Sequence, residues 1–335
     1  MSPYRPNRPP TRVDLSDNTS LWGPPPAARE AIASIGDARL SRYPTPYADE
    51  LVEAIARHHG LALEQVTTGC GSDDVLDSAI RACTDAGGSL ATPVPTFSVI
   101  PDFAAVNEVD LKSVAVHEDA TVDVRTLLAT RADCYYVCSP NNPTGVAVGL
   151  EQLDELCAGT EAVVLVDEAY ADFAEGSALS LVGAHANLVV VRTLSKAYGL
   201  AGLRVGYAIG DPAVVAAITA SRGPYKVGTL AEAVAVAALR DGTGWVRERV
   251  AEVRTLRADF TSRLRGAGFR VLDSEANFVA VLVDDARGVF DAMLAREVLV
   301  RAYADLEVLG DLVRITIGPA ALLDEAYDAL VAATS

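Results

Sequence analysis

Short apolar runs alternate with helix-like segments along the first two thirds of the chain. The runs at 162–166 and 188–191 are continuously aliphatic, which is typical of strands buried on both faces of a sheet. Strands that alternate with helices in this way predict a mostly parallel α/β sheet. The predicted strands are 65–68, 89–92, 113–116, 134–138, 162–166, 188–192 and 205–209, and the predicted helices are 27–36, 47–59, 73–85, 97–106, 123–130, 150–157 and 211–221.

The pattern changes after about residue 225, where a long helical region at 229–266 begins a smaller α+β domain. Further strands are predicted at 270–272, 278–283, 298–301 and 312–317, with helices at 286–296 and 320–333. The predicted division is an N-terminal arm with part of the small domain at 1–40, a large domain at 41–228 and a small C-terminal domain at 229–335.

Composition narrows the range of partners. The 335-residue chain is half hydrophobic and carries a net charge of -17. Because phosphates are bound by clustered Lys and Arg, nucleic acids and anionic membranes are not expected partners. The Pro-rich start, with Arg5, Arg8 and Arg12, is too short to change this and is predicted to be extended. No apolar stretch approaches the roughly 20 residues of a membrane span, and the start lacks a signal core, so we expect a cytoplasmic protein.

Cysteine and histidine give no sign of a metal centre. The five cysteines lack CxxC spacing and are expected to be buried free thiols. The four histidines fall in no catalytic pattern. We therefore expect no metal and no chemistry led by histidine.

Two charged side chains follow predicted buried strands. Asp167 ends the run LVD, and Lys196 follows the strand at 188–192. An acid at the carboxyl end of a parallel strand can face a ligand, and a desolvated lysine becomes a nucleophile. Taken singly, Asp167 also fits a capping residue and Lys196 a solvated cation in a glycine-rich loop. The neighbouring hydroxyl and guanidinium of Ser195 and Arg204 suit a phosphate anion.

Two turns at other strand ends add a donor and an anion cradle. The rigid turn SPNNPTG presents the amide of Asn142 to a ligand oxygen, although a plain turn is the alternative. Gly71, Ser72 and Asp73 lie where a strand meets a helix, and N–H groups at a helix N-terminus bind phosphate. Together, the four clusters supply the amine, acid, amide and phosphate site that pyridoxal phosphate (PLP) requires.

With these motifs the chain resembles the fold-type I PLP-dependent aminotransferases of class I/II, and among them the histidinol-phosphate aminotransferase family. The matching motifs are TLSKAYGLAGLRVGY, SPNNPTG, VDEAY, GCGSDD and ANF, and the resemblance extends from Leu15 to about Leu330. It implies a mostly parallel central sheet in a large domain with a smaller α+β domain. It also implies PLP as cofactor, a small amine or amino-acid substrate, and a homodimer with shared active sites.

The resemblance further implies a role for each matching residue. Lys196 would form the Schiff base with PLP and carry the proton in a 1,3-shift, and Asp167 would keep the pyridine nitrogen protonated. Asn142 and Tyr170 would bind the ring hydroxyl. The other implied contacts are Ser195, Arg204, Gly71, Ser72 and Asp73 at the phosphate, Tyr43 at the phosphate of the neighbouring subunit, Phe97 on the ring, Arg314 at the substrate α-carboxylate and Arg301 at its distal end.

The N-terminal substrate segment departs from the family pattern. Thr19, Ser20 and Trp22 stand where the family has an acid, an amide and a tyrosine. Ser20 and Trp22 are expected at the substrate, where an aromatic ligand would fit Trp22 and Phe97. The substrate therefore stays open between histidinol phosphate and another amino acid or amine. A different PLP reaction, such as decarboxylation, elimination or oxidative deamination, is an alternative, and a non-enzymatic regulatory domain is another.

Overall fold

The computed structural model describes residues 9–334, apart from the side chain of Ala38. Arg5 and Arg8 of the predicted arm lie outside the described residues. The strands are β1 (Val13–Asp14), β2 (Val66–Cys70), β3 (Ser89–Val94), β4 (Asp110–Ala115), β5 (Cys134–Cys138), β6 (Val163–Asp167), β7 (Leu188–Thr193), β8 (Val205–Gly210), β9 (Arg270–Val271), β10 (Phe278–Val283), β11 (Val298–Leu299), β12 (Arg301–Leu306) and β13 (Gly310–Thr316).

Twelve α-helices are found among the described residues. They are α1 (Pro26–Ser34), α2 (Asp37–Leu40), α3 (Asp49–His59), α4 (Gly71–Cys83), α5 (Ile100–Val106), α6 (Val124–Ala129), α7 (Leu150–Ala158), α8 (Pro212–Ser221), α9 (Thr229–Asp241), α10 (Thr243–Gly266), α11 (Ala286–Leu294) and α12 (Ala320–Thr334). The long helical region of the sequence is thus two helices that meet at Gly242, a residue of low helix propensity.

A seven-stranded sheet has the order β2-β8-β7-β6-β5-β3-β4. Six strands of this sheet run in one direction, and β8 runs opposite to them. The prediction of a mostly parallel sheet is therefore confirmed. Every residue of β5 and β7 is buried, in agreement with their mostly apolar sequences. The carboxyl ends of β5, β6 and β7 are adjacent, and this edge of the sheet positions the site.

The C-terminal part of the chain builds a second, antiparallel sheet of order β12-β13-β10-β9. The N-terminal segment joins this part, because β1 pairs in parallel with β11. The predicted strand at 298–301 is in fact divided between β11 and β12, and β12 extends to Leu306 with an irregular register between Tyr303 and Leu306. No helix in residues 9–334 is both long and apolar enough to cross a bilayer.

Candidate active site

A cavity of about 370 Å³ lies at the carboxyl edge of the seven-stranded sheet. It is roofed by the segment that follows β1 and by β12 and β13 of the smaller sheet. The predicted site residues that line it are Ser72, Asp73, Phe97, Asn142, Asp167, Tyr170, Ser195, Lys196, Arg204, Arg301 and Arg314. A larger cleft of about 750 Å³ beside α10 contains none of the predicted residues. The smaller cavity is therefore the candidate active site.

Lys196 lies in the loop between β7 and β8, with its amine inside this cavity. Its Nζ donates a hydrogen bond to the carbonyl of Asp17 at 3.3 Å and lies 5.5 Å from the centroid of the Tyr170 ring. Burial, reinforced by the positive charge of Arg314, lowers the pKa of Lys196 to about 8. About a tenth of this amine is neutral at pH 7, far more than for a solvated lysine, so it can act as a nucleophile or take up a proton.

Asp167 is the last residue of β6 and is 3% exposed. Its Oδ2 accepts a hydrogen bond from the phenol of Tyr136 at 2.9 Å, and its Oδ1 accepts one from the backbone N–H of Ala169 at 3.1 Å. Burial raises the pKa of Asp167 to about 6, against the opposing effect of the Tyr136 hydrogen bond. The carboxylate is therefore held in one orientation at the floor of the cavity.

Arg314 connects the smaller sheet to the turn that follows β5. Its Nη1 donates to Oδ1 of Asn142 at 2.6 Å and to the phenol oxygen of Tyr303 at 2.9 Å, and its Nη2 donates to the carbonyl of Ser16. Because Oδ1 of Asn142 is occupied, the Nδ2 of Asn142 is the atom available to donate to a ligand. The guanidinium is 5% exposed and supplies positive charge at the end of the cavity opposite the anion cradle.

The anion cradle depends on close approach of three backbone segments. Gly71, at the start of α4, has a φ of +81°, and a Cβ there would lie 2.4 Å from Nη2 of Arg204. A Cβ at Gly206 would lie 2.2 Å from the backbone nitrogen of Ser72. The two glycines therefore let the guanidinium and the N-terminus of α4 face the same space, which is suited to a phosphate. Ser195 completes the cradle from the lysine loop, where its hydroxyl accepts a hydrogen bond from Thr193 at 2.9 Å.

Besides Gly71, three other predicted contacts do not line this cavity. The indole N–H of Trp22 donates to Glu252 at 3.3 Å, and the hydroxyl of Ser20 donates to the carbonyl of Gly23 at 3.3 Å. Neither Ser20 nor Trp22 lines this cavity, because the chain turns toward α10 at this point, and their contact with the substrate stays a prediction. Tyr43 is 87% exposed and packs against Tyr225, with ring centroids 5.3 Å apart.

Other lining residues were not anticipated from the sequence. Asn18 has a positive φ of 57° and donates through Nδ2 to the phenol oxygen of Tyr170 at 3.1 Å. Asp17 also lines the cavity, as does Thr19, which the sequence had indicated only as a departing position of the substrate segment. Tyr303 lies two residues after Arg301 on β12, and strand alternation places both on one face. The two-residue spacing from Arg301 was the one sequence feature that could have indicated Tyr303 as a lining residue.

The cysteine prediction is confirmed only in part. Cys134, Cys138 and Cys157 are buried free thiols, as expected. Cys70 is exposed, because it ends β2 at the turn into α4.

The cavity residues fit PLP. They place a buried amine, a buried carboxylate and a glycine-bordered anion cradle around one space, together with Nδ2 of Asn142 as a donor. This donor set matches the aldehyde, pyridine nitrogen, phosphate and ring hydroxyl of that cofactor. Fold and site together define a fold-type I PLP-dependent enzyme.

Comparison with known proteins agrees with this class. The sequence model of the family "Aminotransferase class I and II" matches residues 10–330. Histidinol-phosphate aminotransferase 1 of Trichormus variabilis is 33% identical, over 95% of this chain and 92% of its own length. Histidinol-phosphate aminotransferase of Gluconacetobacter diazotrophicus is 37% identical, over 95% and 91%. The crystal structure of histidinol-phosphate aminotransferase from Sinorhizobium meliloti in complex with PLP superposes with a TM-score of 0.87 at 26% identity, over 97% of this chain and 91% of that one.

The chain belongs to the class I and II aminotransferase family. It is a PLP-dependent transferase, and the predicted fold class, family and cofactor are confirmed.

Proposed function

We propose that this aminotransferase acts on an amino acid or an amino-alcohol phosphate, with L-histidinol phosphate as the foremost substrate and L-glutamate as the partner amino acid. The relatives at 33% and 37% identity named above are histidinol-phosphate aminotransferases, and the match covers nearly their whole lengths. The observation that carries the proposal is the placement of Arg314 and Arg301 in the same cavity as the amine of Lys196. Two guanidinium groups suit a substrate that bears a phosphate or carboxylate.

PLP, when bound, supplies an electron sink for the bond that breaks at the substrate Cα. We assign the proton transfer to Nζ of Lys196, which would take the proton from the substrate Cα and deliver it to C4′ of the cofactor in the 1,3-shift. Its lowered pKa of about 8 suits this exchange, because an amine that titrates near the working pH can both accept and release a proton. The Asp17 carbonyl fixes the amine toward the cavity.

We assign the remaining residues to holding and orienting. Asp167 pairs with the pyridine nitrogen, and Asn142 and Tyr170 bind the ring hydroxyl. Phe97 lies against the ring. Arg314 binds the anionic group of the substrate. The phosphate contacts are Ser195, Arg204, Gly71, Ser72 and Asp73, and Arg301 lies at the distal end of the substrate.

A substrate screen tests this proposal directly. The purified protein is incubated with L-histidinol phosphate and 2-oxoglutarate, and L-glutamate formation is measured. We expect glutamate in proportion to consumed histidinol phosphate. L-histidine, L-phenylalanine and L-tyrosine serve as competing donors. Glutamate from one of these, and none from histidinol phosphate, would move the substrate to another amino acid. Release of carbon dioxide or ammonia without glutamate would replace transamination by the alternative PLP reaction.

We also propose that two chains form a homodimer in which Tyr43 reaches the cofactor phosphate of the neighbouring subunit. Tyr43 is 87% and Tyr225 is 48% exposed, so the two rings, tilted at 39° to each other, present apolar surface to solvent in the single chain. An aromatic pair of this kind is typical of the centre of a protein interface. A cytoplasmic location agrees with a biosynthetic substrate of this type.

We further propose the domain division 1–40, 41–228 and 229–335. The pairing of β1 with β11 supports the assignment of the N-terminal arm to the small domain. Residues 1–8 of the arm lie outside the described part of the chain.

A further inference from the structure

Tyr136 is a fully buried phenol that lies behind the candidate cofactor site. It is in the centre of β5, in a strand that the sequence predicts only as core. A buried tyrosine usually has a partner for its hydroxyl, since an unpaired hydroxyl in an apolar core is destabilising. Its partner is the carboxylate of Asp167 on the neighbouring strand.

The register of the two strands produces this contact. Cys138 of β5 lies opposite Asp167 of β6. Strand alternation places Tyr136 on the same face as Cys138, two residues earlier. The phenol therefore reaches diagonally and donates to Oδ2 at 2.9 Å, while the N–H of Ala169 donates to Oδ1 at 3.1 Å. Each carboxylate oxygen has one protein donor, which fixes the plane of the group.

The charged groups around Asp167 have opposing effects on its pKa. The groups that face it are the carboxylate of Asp73, the amine of Lys196, the thiol of Cys138 and the phenol of Tyr136. Burial raises the pKa of Asp167 to about 6, and the Tyr136 hydrogen bond opposes that rise. Burial and the adjacent carboxylate raise the pKa of Tyr136 well above its ordinary value, so the phenol stays a donor at every working pH.

We propose that Tyr136 is a positioning residue that keeps Asp167 ionised and aimed at the pyridine nitrogen of PLP. The inference rests on the proposed function, in which Asp167 pairs with that nitrogen. Tyr136 does not line the cavity and acts only through the carboxylate. Its role is thus to preserve the charge that makes the bound ring an electron sink.

The experiment measures equilibrium dissociation constants of cofactors for the apoenzyme of the wild type and Tyr136→Phe. The probes are PLP and its 1-deaza analogue, in which a C–H replaces the pyridine nitrogen. We expect Tyr136→Phe to weaken PLP about twofold at pH 7 and roughly tenfold at pH 5, below both values of the Asp167 pKa, if that pKa rises by about one unit. The 1-deaza analogue should bind both proteins equally. The loss should shrink toward pH 8.5, because the carboxylate is then ionised in both proteins.

Tyr135→Phe is the matched control. Tyr135 is the adjacent buried tyrosine on the opposite face of β5, and its phenol bonds only to backbone atoms of Ala132 and Leu128. Its loss should change neither cofactor's affinity.

The affinities of the two cofactors distinguish a positioning role of Tyr136 from a structural one. Unchanged PLP affinity in Tyr136→Phe, or equal weakening of both cofactors, would overturn the inference, because the phenol would then be irrelevant or merely structural. Equal affinity of the wild type for both cofactors would instead remove Asp167 from its proposed role. Failure of the wild type to bind PLP would contradict the proposed function itself.

Discussion

The Nη1 atom of Arg314 lies 2.6 Å from Oδ1 of Asn142, although the two residues are 172 positions apart. Arg314 belongs to β13 of the smaller sheet, and Asn142 lies in the turn after β5 of the larger one. This hydrogen bond joins the two sheets across the cavity. It also couples the side chain proposed to bind the substrate anion to the one proposed to bind the cofactor ring.

Arg314→Lys should weaken substrate binding while leaving PLP bound. A lysine keeps the charge but cannot bond to Asn142, Tyr303 and an incoming anion at once. We expect KM for anionic substrates to rise about 10- to 100-fold, as expected for loss of charged hydrogen bonds. Steady-state kinetics checks this, with Arg125→Lys as control, since Arg125 is an exposed arginine paired with Glu155. An unchanged KM would show that the substrate anion binds elsewhere.

Gly71→Ala should weaken PLP binding through the anion cradle. The new Cβ would lie 2.4 Å from Nη2 of Arg204 and displace the guanidinium. Gly87→Ala is the control, because Gly87 has the same φ of +81° and nothing within 4 Å of its Cβ position. Both variants should lose about 1–2 kcal/mol of unfolding free energy from the left-handed backbone. Only Gly71→Ala should also raise the dissociation constant of PLP, about tenfold or more. Equal affinities in the two variants would contradict the cradle.

The rate of PLP attachment to the apoenzyme should depend on pH through Lys196. Its pKa is lowered to about 8, so the amine is protonated below that pH and neutral above it. The attachment rate should therefore rise as pH increases toward 8 and level off beyond. Arg314→Gln removes a positive charge that lowers this pKa, so the profile should move to higher pH. Absorbance measured after rapid mixing gives both profiles. A wild-type profile still rising steeply above pH 10 would show an ordinary, solvated lysine.

Shared active sites predict complementation between two inactive variants. Tyr43→Ala removes the residue proposed to serve the partner's phosphate site, and Lys196→Ala removes the amine of its own site. A mixed dimer regains one site with both residues intact, so coexpression should restore activity that neither variant shows alone. The control repeats the experiment with Tyr47→Ala in place of Tyr43→Ala. Tyr47 is a nearby tyrosine, 39% exposed, with no proposed role at the partner's phosphate site. No recovery in a demonstrated mixed dimer would contradict the role of Tyr43.

Much of the fold could be predicted from sequence because its central strands are uniformly apolar. The strand predicted at 134–138 coincides with β5, and that at 188–192 ends one residue before β7 does. By contrast, β12 is half-exposed, carries the charged residues Arg301 and Asp305 and has an irregular register near Tyr303, so its full length has no clear hydrophobic signal. The N-terminal pairing of β1 could not be predicted either, since it depends on a strand almost 300 residues away.

Site residues that stand in sequence motifs could be predicted, whereas those that only tertiary structure brings to the cavity could not. Lys196 and Asp167 stand in recognisable motifs at strand ends, and both line the cavity. Trp22 lies away from the cavity because its side chain finds a partner in Glu252 on α10, a contact that depends on tertiary structure. Asn18 was missed because its left-handed backbone and its bond to Tyr170 depend on how the segment lies over the cavity.

The central claim is that Lys196 holds the cofactor. The most direct measurement is borohydride reduction of the holoenzyme, followed by proteolysis and mass spectrometry. The account predicts a reduced PLP adduct on the peptide that contains Lys196, and its absence in Lys196→Ala. An adduct on Lys112 or Lys226 instead, or no adduct on a protein saturated with PLP, would contradict it.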